Sequence, residues 1–230
     1  SPAWVISNKS SLEIDSQNNP TGSFYYLLIE RQLNLSSEER FNRNIFKILS
    51  SEGVQEMSDI SVDFDPEYES LTFNSIVVYR NGEKIDKLKQ AKINIAQREQ
   101  SMDRYLYDGT KTAYVNLTDI RSGDIIEYSY TLKGYNPVFR GHFSQFFYFD
   151  YSFGYQKLFQ RVIIRKGDQM FMHYRNGDVT PAITETTANK EYTWIIENNK
   201  PFLTDNNAPG WYDPFRYMAI TDLKDWSDVK

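Results

Sequence analysis

The sequence predicts an all-β fold, an antiparallel β-sandwich-like arrangement built as one body or as two β lobes, with a short C-terminal helix. Three observations predict it. The apolar mass is largely aromatic, with 15 Phe, 17 Tyr and 4 Trp in 230 residues, and such side chains suit pleated, half-buried surfaces. Asn-Gly or Asp-Gly pairs occur at Asn81-Gly82, Asp108-Gly109 and Asn176-Gly177, each beside strand-like sequence, and these pairs supply the positive φ angles of a tight hairpin turn. From Asp124 to Leu132 the chain alternates, Ile126, Tyr128, Tyr130 and Leu132 against Glu127, Ser129 and Thr131, which predicts a strand with one core face and one wet face.

Residues 1–22 are polar and close on the turn cluster Asn18-Asn19-Pro20-Thr21-Gly22, so they are expected to form an irregular lead. A first lobe is expected over 23–135. Phe24 to Leu33 reads as a buried strand, and Arg40 to Leu49 as a strand with Phe41, Arg43, Ile45, Lys47 and Leu49 opposing Asn42, Asn44, Phe46 and Ile48. Ile76 to Tyr79 enters the Asn81-Gly82 turn, and Tyr114 to Leu117 follows Asp108-Gly109. Residues 86–105 read either as a helix or as irregular chain holding a short strand at Ile93–Ile95.

The turn residues Tyr135-Asn136-Pro137 mark a boundary, after which a second β-rich lobe is expected over 136–220. Nine Phe or Tyr residues fall between Phe143 and Phe159. Leaving them exposed would create a large adhesive patch, so the block is expected to be core. Val162-Ile163-Ile164 and the shared face of Tyr192, Trp194 and Ile196 continue the strand grammar. Residues 221–230, with Leu223 and Trp226 three apart after Thr221 or Asp222, read as a truncated linker helix toward a downstream domain absent from the chain.

Composition excludes several chemistries. With 31 acidic and 26 basic residues the formal charge is −5, which gives no electrostatic reason to approach a nucleic-acid backbone. There is no Cys, hence no disulfide, thiolate metal site or cysteine nucleophile within the chain. No run of about 18–20 apolar residues exists to span a membrane as a helix, and the start Ser1-Pro2-Ala3-Trp4 has no signal-peptide character, so a leader is expected to have been removed. GxSxG, GxGxxG and HExxH are all missing, and His142 and His173 are the only histidines, so no cofactor or multi-histidine metal site is expected.

Two clusters remain as candidate sites. Asp63, Asp65, Glu67 and Glu69 alternate along the chain, and an extended backbone would project them to one side as weak calcium ligands or, more simply, as a solvated edge. Asp205, Trp211, Tyr212 and Asp213 combine polar acceptors with aromatic rings, as a sugar- or peptide-contacting loop would, although turn-rich connections favour the same residues. A hydrolase built on paired carboxylates would need two acids about 5–10 Å apart, and nothing in the sequence selects such a pair.

Several local patterns, in order along the chain, carry a resemblance. They are Ile48-Leu49-Ser50-Ser51-Glu52-Gly53, Phe64-Asp65-Pro66-Glu67-Tyr68-Glu69, Arg80-Asn81-Gly82, Asp119 through Tyr130 with its Gly123-Asp124-Ile125-Ile126-Glu127-Tyr128 core, Tyr192-Thr193-Trp194, and Leu223-Lys224-Asp225-Trp226-Ser227-Asp228-Val229. Together they resemble a bacterial domain-of-unknown-function family that lies N-terminal to transglutaminase-like domains in exported Bacteroidetes proteins. The resemblance implies a β-sandwich module in the periplasm or at the cell surface. It implies a non-catalytic accessory role, in domain packing or substrate presentation, with the downstream transglutaminase-like domain of the same polypeptide as partner. That chemistry needs a Cys the chain lacks, so no catalytic residue transfers to it. The alternative is a glycan- or peptide-binding module using exposed aromatics.

Overall fold

The computed structural model describes residues 1–16, 18–97, 109–203, 209, 211–225 and 227. Its strands are β1 (Phe24–Asn34), β2 (Glu39–Ile48), β3 (Asp59–Phe64), β4 (Ser70–Arg80), β5 (Glu83–Asp86), β6 (Asn94–Gln97) and β7 (Lys111–Asn116). There follow β8 (Ile125–Lys133), β9 (Ser144–Tyr148), β10 (Tyr155–Arg165), β11 (Phe171–Arg175), β12 (Ala182–Glu185), β13 (Asn189–Asn199) and β14 (Tyr217–Thr221). The fold is all-β and sandwich-like: an eight-stranded sheet ordered β12-β13-β10-β1-β2-β8-β4-β5 and two three-stranded sheets, β11-β14-β9 and β3-β7-β6.

Every strand pair is antiparallel except β1 with β10, which run parallel at the centre of the large sheet. The boundary expected near residue 135 lies between β8 and β9, and the large sheet continues across it through that parallel pair. In β1 a bulge places Leu27 and Leu28 together opposite Ile45, so the strand changes phase. Beyond the bulge Ile29, Arg31 and Leu33 share one face, here called the inner face.

Both small sheets pack on the inner face. Around β10 and β13, Leu158, Val162, Tyr192 and Trp194 meet Phe147 of β9 and Met218 and Ile220 of β14. Around β2, β4 and β8, Phe46, Ile76, Val78 and Ile126 meet Ile60 of β3 and Val115 of β7. The aromatic block behaves as expected in the main: Phe143, Phe147, Phe149, Tyr155 and Phe159 are buried, whereas Phe146 is 60% exposed.

The outer face is covered by the lead, which has no regular structure in its described residues. Leu12 and Ile14 pack on Tyr25, Leu27, Leu28, Ile45 and Phe159. Ile6 exchanges hydrogen bonds with the Gln32 amide at 2.8 and 3.2 Å, and Trp4 O and Asn8 O each accept at 2.9 Å, from Arg161 and Arg43 respectively. The alternation of β8 is as predicted, but its second face is not wet. Ser129 and Thr131 are buried, Ser129 bonded to the Ser75 hydroxyl at 2.6 Å and Thr131 accepting from Asn74 at 2.8 Å.

Turn chemistry succeeded once in full. Asn81 and Gly82 have φ of 52° and 82° and join β4 to β5 as a two-residue hairpin. Asn176 and Gly177 also have positive φ, yet β11 pairs with β14 and β12 with β13, so that turn closes no hairpin. Asp108 lies outside the described residues. Within 86–105 the described part holds a 3₁₀ turn at Leu88–Gln90 and strand β6, and no α-helix.

An unexpected α-helix, α1 (Ser51–Met57), is capped by the Ser50 side chain accepting from Gly53 N–H. Gly53 is needed there, since a Cβ would lie 2.0 Å from Ser23 O. At the C-terminus Thr221 closes β14, Ser227 stands in a 3₁₀ turn, and the remaining positions of the expected helix, Trp226 and 228–230, lie outside the described residues.

Candidate functional site

A row of polar side chains crosses the inner face in register beside β9. Gln160 of β10 stands beside Arg31 of β1, Arg31 beside Asn42 of β2, and Asn42 beside Tyr130 of β8. Period two carries two of them to the same side as apolar neighbours: Arg31 lies between Ile29 and Leu33, Gln160 between Leu158 and Val162. These residues floor a cavity of about 240 Å³ whose wall is β9, from Gln145 to Tyr148. A second cavity of about 210 Å³ adjoins it, sharing Arg40 and Gln145 and adding Tyr68, Glu69, Tyr135 and His142. The two form one groove along the length of β9.

The hydrogen bonding of the groove is incomplete. Arg31 Nη1 donates to Glu30 O at 2.9 Å and to Asn44 Oδ1 at 3.0 Å, and Asn44 Nδ2 donates to Tyr128 Oη at 2.6 Å. Among the described residues Arg31 has no carboxylate partner and the Asn42 amide has no hydrogen-bond partner. Arg40 pairs with Glu69 and stands 5.5 Å over the Tyr135 ring. Three buried side-chain atoms lack a protein partner among the described residues, Arg40 Nε, Tyr135 Oη and Gln160 Oε1, and all three belong to residues lining this groove.

Burial raises several phenols in and beside the groove. That of Tyr135 is pushed up to about 12 by desolvation, with the Arg40 charge pulling the other way. Desolvation likewise raises Tyr128 and Tyr151, against the pull of Arg31. The groove therefore presents guanidinium, amide and phenol groups. Its only lining carboxylate among the described residues is Glu69, where glycoside hydrolysis needs two.

Of the sequence-predicted site residues that are described, only Glu69 lines this groove. β3 ends at Phe64 and residues 65–69 form a turn, so Asp63, Asp65, Glu67 and Glu69 do not project together as an extended chain would have them. Asp63 accepts from Thr112 Oγ1 at 2.5 Å, Asp65 Oδ1 accepts from Glu67 N–H, and Glu69 reaches Arg40 while accepting from Asp65 N–H. Among the described residues no three His, Cys, Asp or Glu side chains converge as a metal would require.

Trp211 is 84% exposed and meets Tyr212 edge-on at 6.3 Å, while Asp213 accepts from Tyr148 Oη at 3.1 Å; Asp205 lies outside the described residues. His173 is exposed on β11, and His142 Nδ1 lies 3.2 Å from Asp222 Oδ2 at one end of the groove. Sequence reading passed over Arg31, Arg40, Asn42 and Gln160. For Arg31 and Gln160 the one signal was a polar residue at an apolar-phase position, and Arg40 and Asn42, which have polar neighbours in phase, gave none.

The family model for DUF3857, a domain of unknown function with a solved structure, matches residues 36–202. No curated protein matches the chain. Among solved structures, a protein of Parabacteroides distasonis described as a "putative protease" superposes with a TM-score of 0.76 at 12% identity, over 88% of this chain and 41% of that one. At that identity the likeness is one of fold, and the chain spans less than half the length of that protein. Yeast LTA4 hydrolase (TM-score 0.41, 9% identity, 87% of this chain and 29% of that one) also aligns. So does an M1 zinc metallopeptidase of Deinococcus radiodurans (0.39, 11%, 87% and 43%). Superpositions of such low score carry no argument.

Proposed function

The chain belongs to the DUF3857 family, and on that premise we propose that it is a non-catalytic accessory module of a longer exported protein, packing beside a transglutaminase-like core and presenting substrate to it. The observation that carries this reading is the superposition of nearly the whole chain on less than half of a longer protein described as a protease. On this reading the chain supplies one part of such a protein and the chemistry belongs to another part. The absence of Cys fits the same division, since acyl transfer by a transglutaminase-like core runs through a thiolate. Such a protein would work in the periplasm or at the cell surface.

The test is made on the full-length protein. Sequencing beyond residue 230 is expected to reveal Cys, His and Asp in a transglutaminase-like arrangement, and fractionation to place the protein outside the cytoplasm. Removing residues 1–220 is expected to raise KM for a protein substrate with little change in kcat for a small one. A full-length protein with no such core overturns the reading.

A further inference from the structure

We propose that the groove along β9 binds an extended acidic peptide, which adds to β9 as a strand and places a carboxylate on Arg31. The backbone of β9 is open on the required side. Tyr148 stands opposite Tyr217 in the antiparallel pair with β14, and Phe149 N–H donates to Arg216 O at 2.8 Å. In such a pair alternate residues turn both backbone groups to the partner strand. Odd-numbered residues therefore face β14, and Ser144, Phe146 and Tyr148 turn their N–H and C=O groups away from it. β9 is the edge of its sheet, so these groups face the groove. Tyr148 O is occupied by Gln160 Nε2 at 3.0 Å, which leaves those of Ser144 and Phe146 for an incoming chain.

The side chains opposite that edge select the occupant. Gln160 is 1% exposed and its Nε2 holds Tyr148 O, so it fixes the β9 end of the groove. Arg31, with no carboxylate among the described residues, calls for an acidic side chain or a C-terminus in the fork geometry that guanidinium favours. A backbone ladder supplemented by side-chain pockets is how exposed sheet edges capture peptides. This inference goes beyond the accessory reading and holds with or without a transglutaminase-like core.

The chain 1–230 is used to select from a phage-displayed library of randomised eight-residue peptides, and selected peptides are measured by fluorescence polarisation. Selected sequences are expected to share one Asp or Glu position. Arg31→Gln should weaken them at least tenfold and abolish the acidic preference. Phe146→Pro, which removes an unpaired edge N–H, should weaken all of them tenfold or more, with an unchanged circular dichroism spectrum showing that the variant folds. Amide exchange at Ser144 and Phe146 should slow on binding. Failure to select any peptide overturns the proposal, as does binding indifferent to both substitutions. Concentration-dependent dimerisation that Phe146→Pro abolishes, without peptide binding, overturns it in favour of a second copy on the β9 edge.

Discussion

On the outer face of the eight-stranded sheet Glu30, Gln32 and Arg161 are buried, and each is bonded. Glu30 accepts from Asn8 at 3.0 Å and from Gln32 at 2.5 Å; Arg161 donates to Glu191, to Trp4 O and to Gln32 Oε1 at 2.7–3.1 Å. On the inner face Gln160 is as deeply buried as Gln32, yet one of its amide atoms has no protein partner, and the neighbouring Arg31 has no counter-ion among the described residues. Both faces carry polar rows across the same strands. The lead closes one row into a finished network, whereas the other lies beside β9. Desolvating a polar group without a partner costs about 1–3 kcal/mol, so the two rows should differ in what each of their polar side chains contributes to stability.

The sharpest way to break this comparison is Arg161→Ala, which strands Glu191, Trp4 O and Gln32 on the outer face. A loss of roughly 3–5 kcal/mol is expected in urea unfolding at neutral pH. A loss under about 1 kcal/mol would mean that the outer network is no better made than the inner row. Gln32→Leu comes next: it removes both bonds to Ile6 and those to Glu30 and Arg161, and should cost about 2–3 kcal/mol by the same measurement.

The wall of the groove is fixed separately by Asp150, buried beyond the end of β9 and held by Arg216 through Nε at 2.8 Å, Nη2 at 2.7 Å and N–H at 3.1 Å. Asp150→Asn should cost roughly 2–3 kcal/mol. Burial tends to raise the Asp150 carboxyl, but the Arg216 bonds outweigh it and hold it below its ordinary 3.8. Its stabilisation is therefore complete above pH 3.8 and is lost as pH falls through the lowered folded value. Acid titration of stability should therefore be shallower in Asp150→Asn than in the native chain.

The smallest effect is expected from Gln160→Leu, the inner-face counterpart of Gln32→Leu. It gives up the bond to Tyr148 O but removes an unpartnered acceptor, so stability should change by less than about 1 kcal/mol. A cost equal to that of Gln32→Leu would show the two rows to be alike.

The fold was legible where the information was local. Alternation over 124–132 identified β8, though not which of its faces is wet, and Asn81-Gly82 identified a true hairpin. Asn176-Gly177 misled because positive φ reports a turn without reporting which strand comes back beside it; here β14 returns from far along the chain. Helix α1 has seven residues, too few for a helical period to declare itself, and only the Ser50 cap marked it. The groove was not legible for a similar reason. Arg31, Asn42 and Gln160 are unremarkable within their own strands and become a row only through pairings between distant segments.

The parallel pairing of β1 with β10 also dictates an order of events. β1 lies in the middle of the sheet, and one of its edges stays open until residues 155–165 have been made. Ile29 and Leu33 likewise have no cover until β10, β13 and the β9-β14 sheet arrive. A ribosome extending this chain thus holds a nearly complete β1-β2-β8-β4-β5 ribbon that cannot finish folding, with an apolar edge available to other chains. Contacts of such long sequence separation fold slowly. A fragment ending near residue 135 is expected to aggregate where the chain carried through β14 folds.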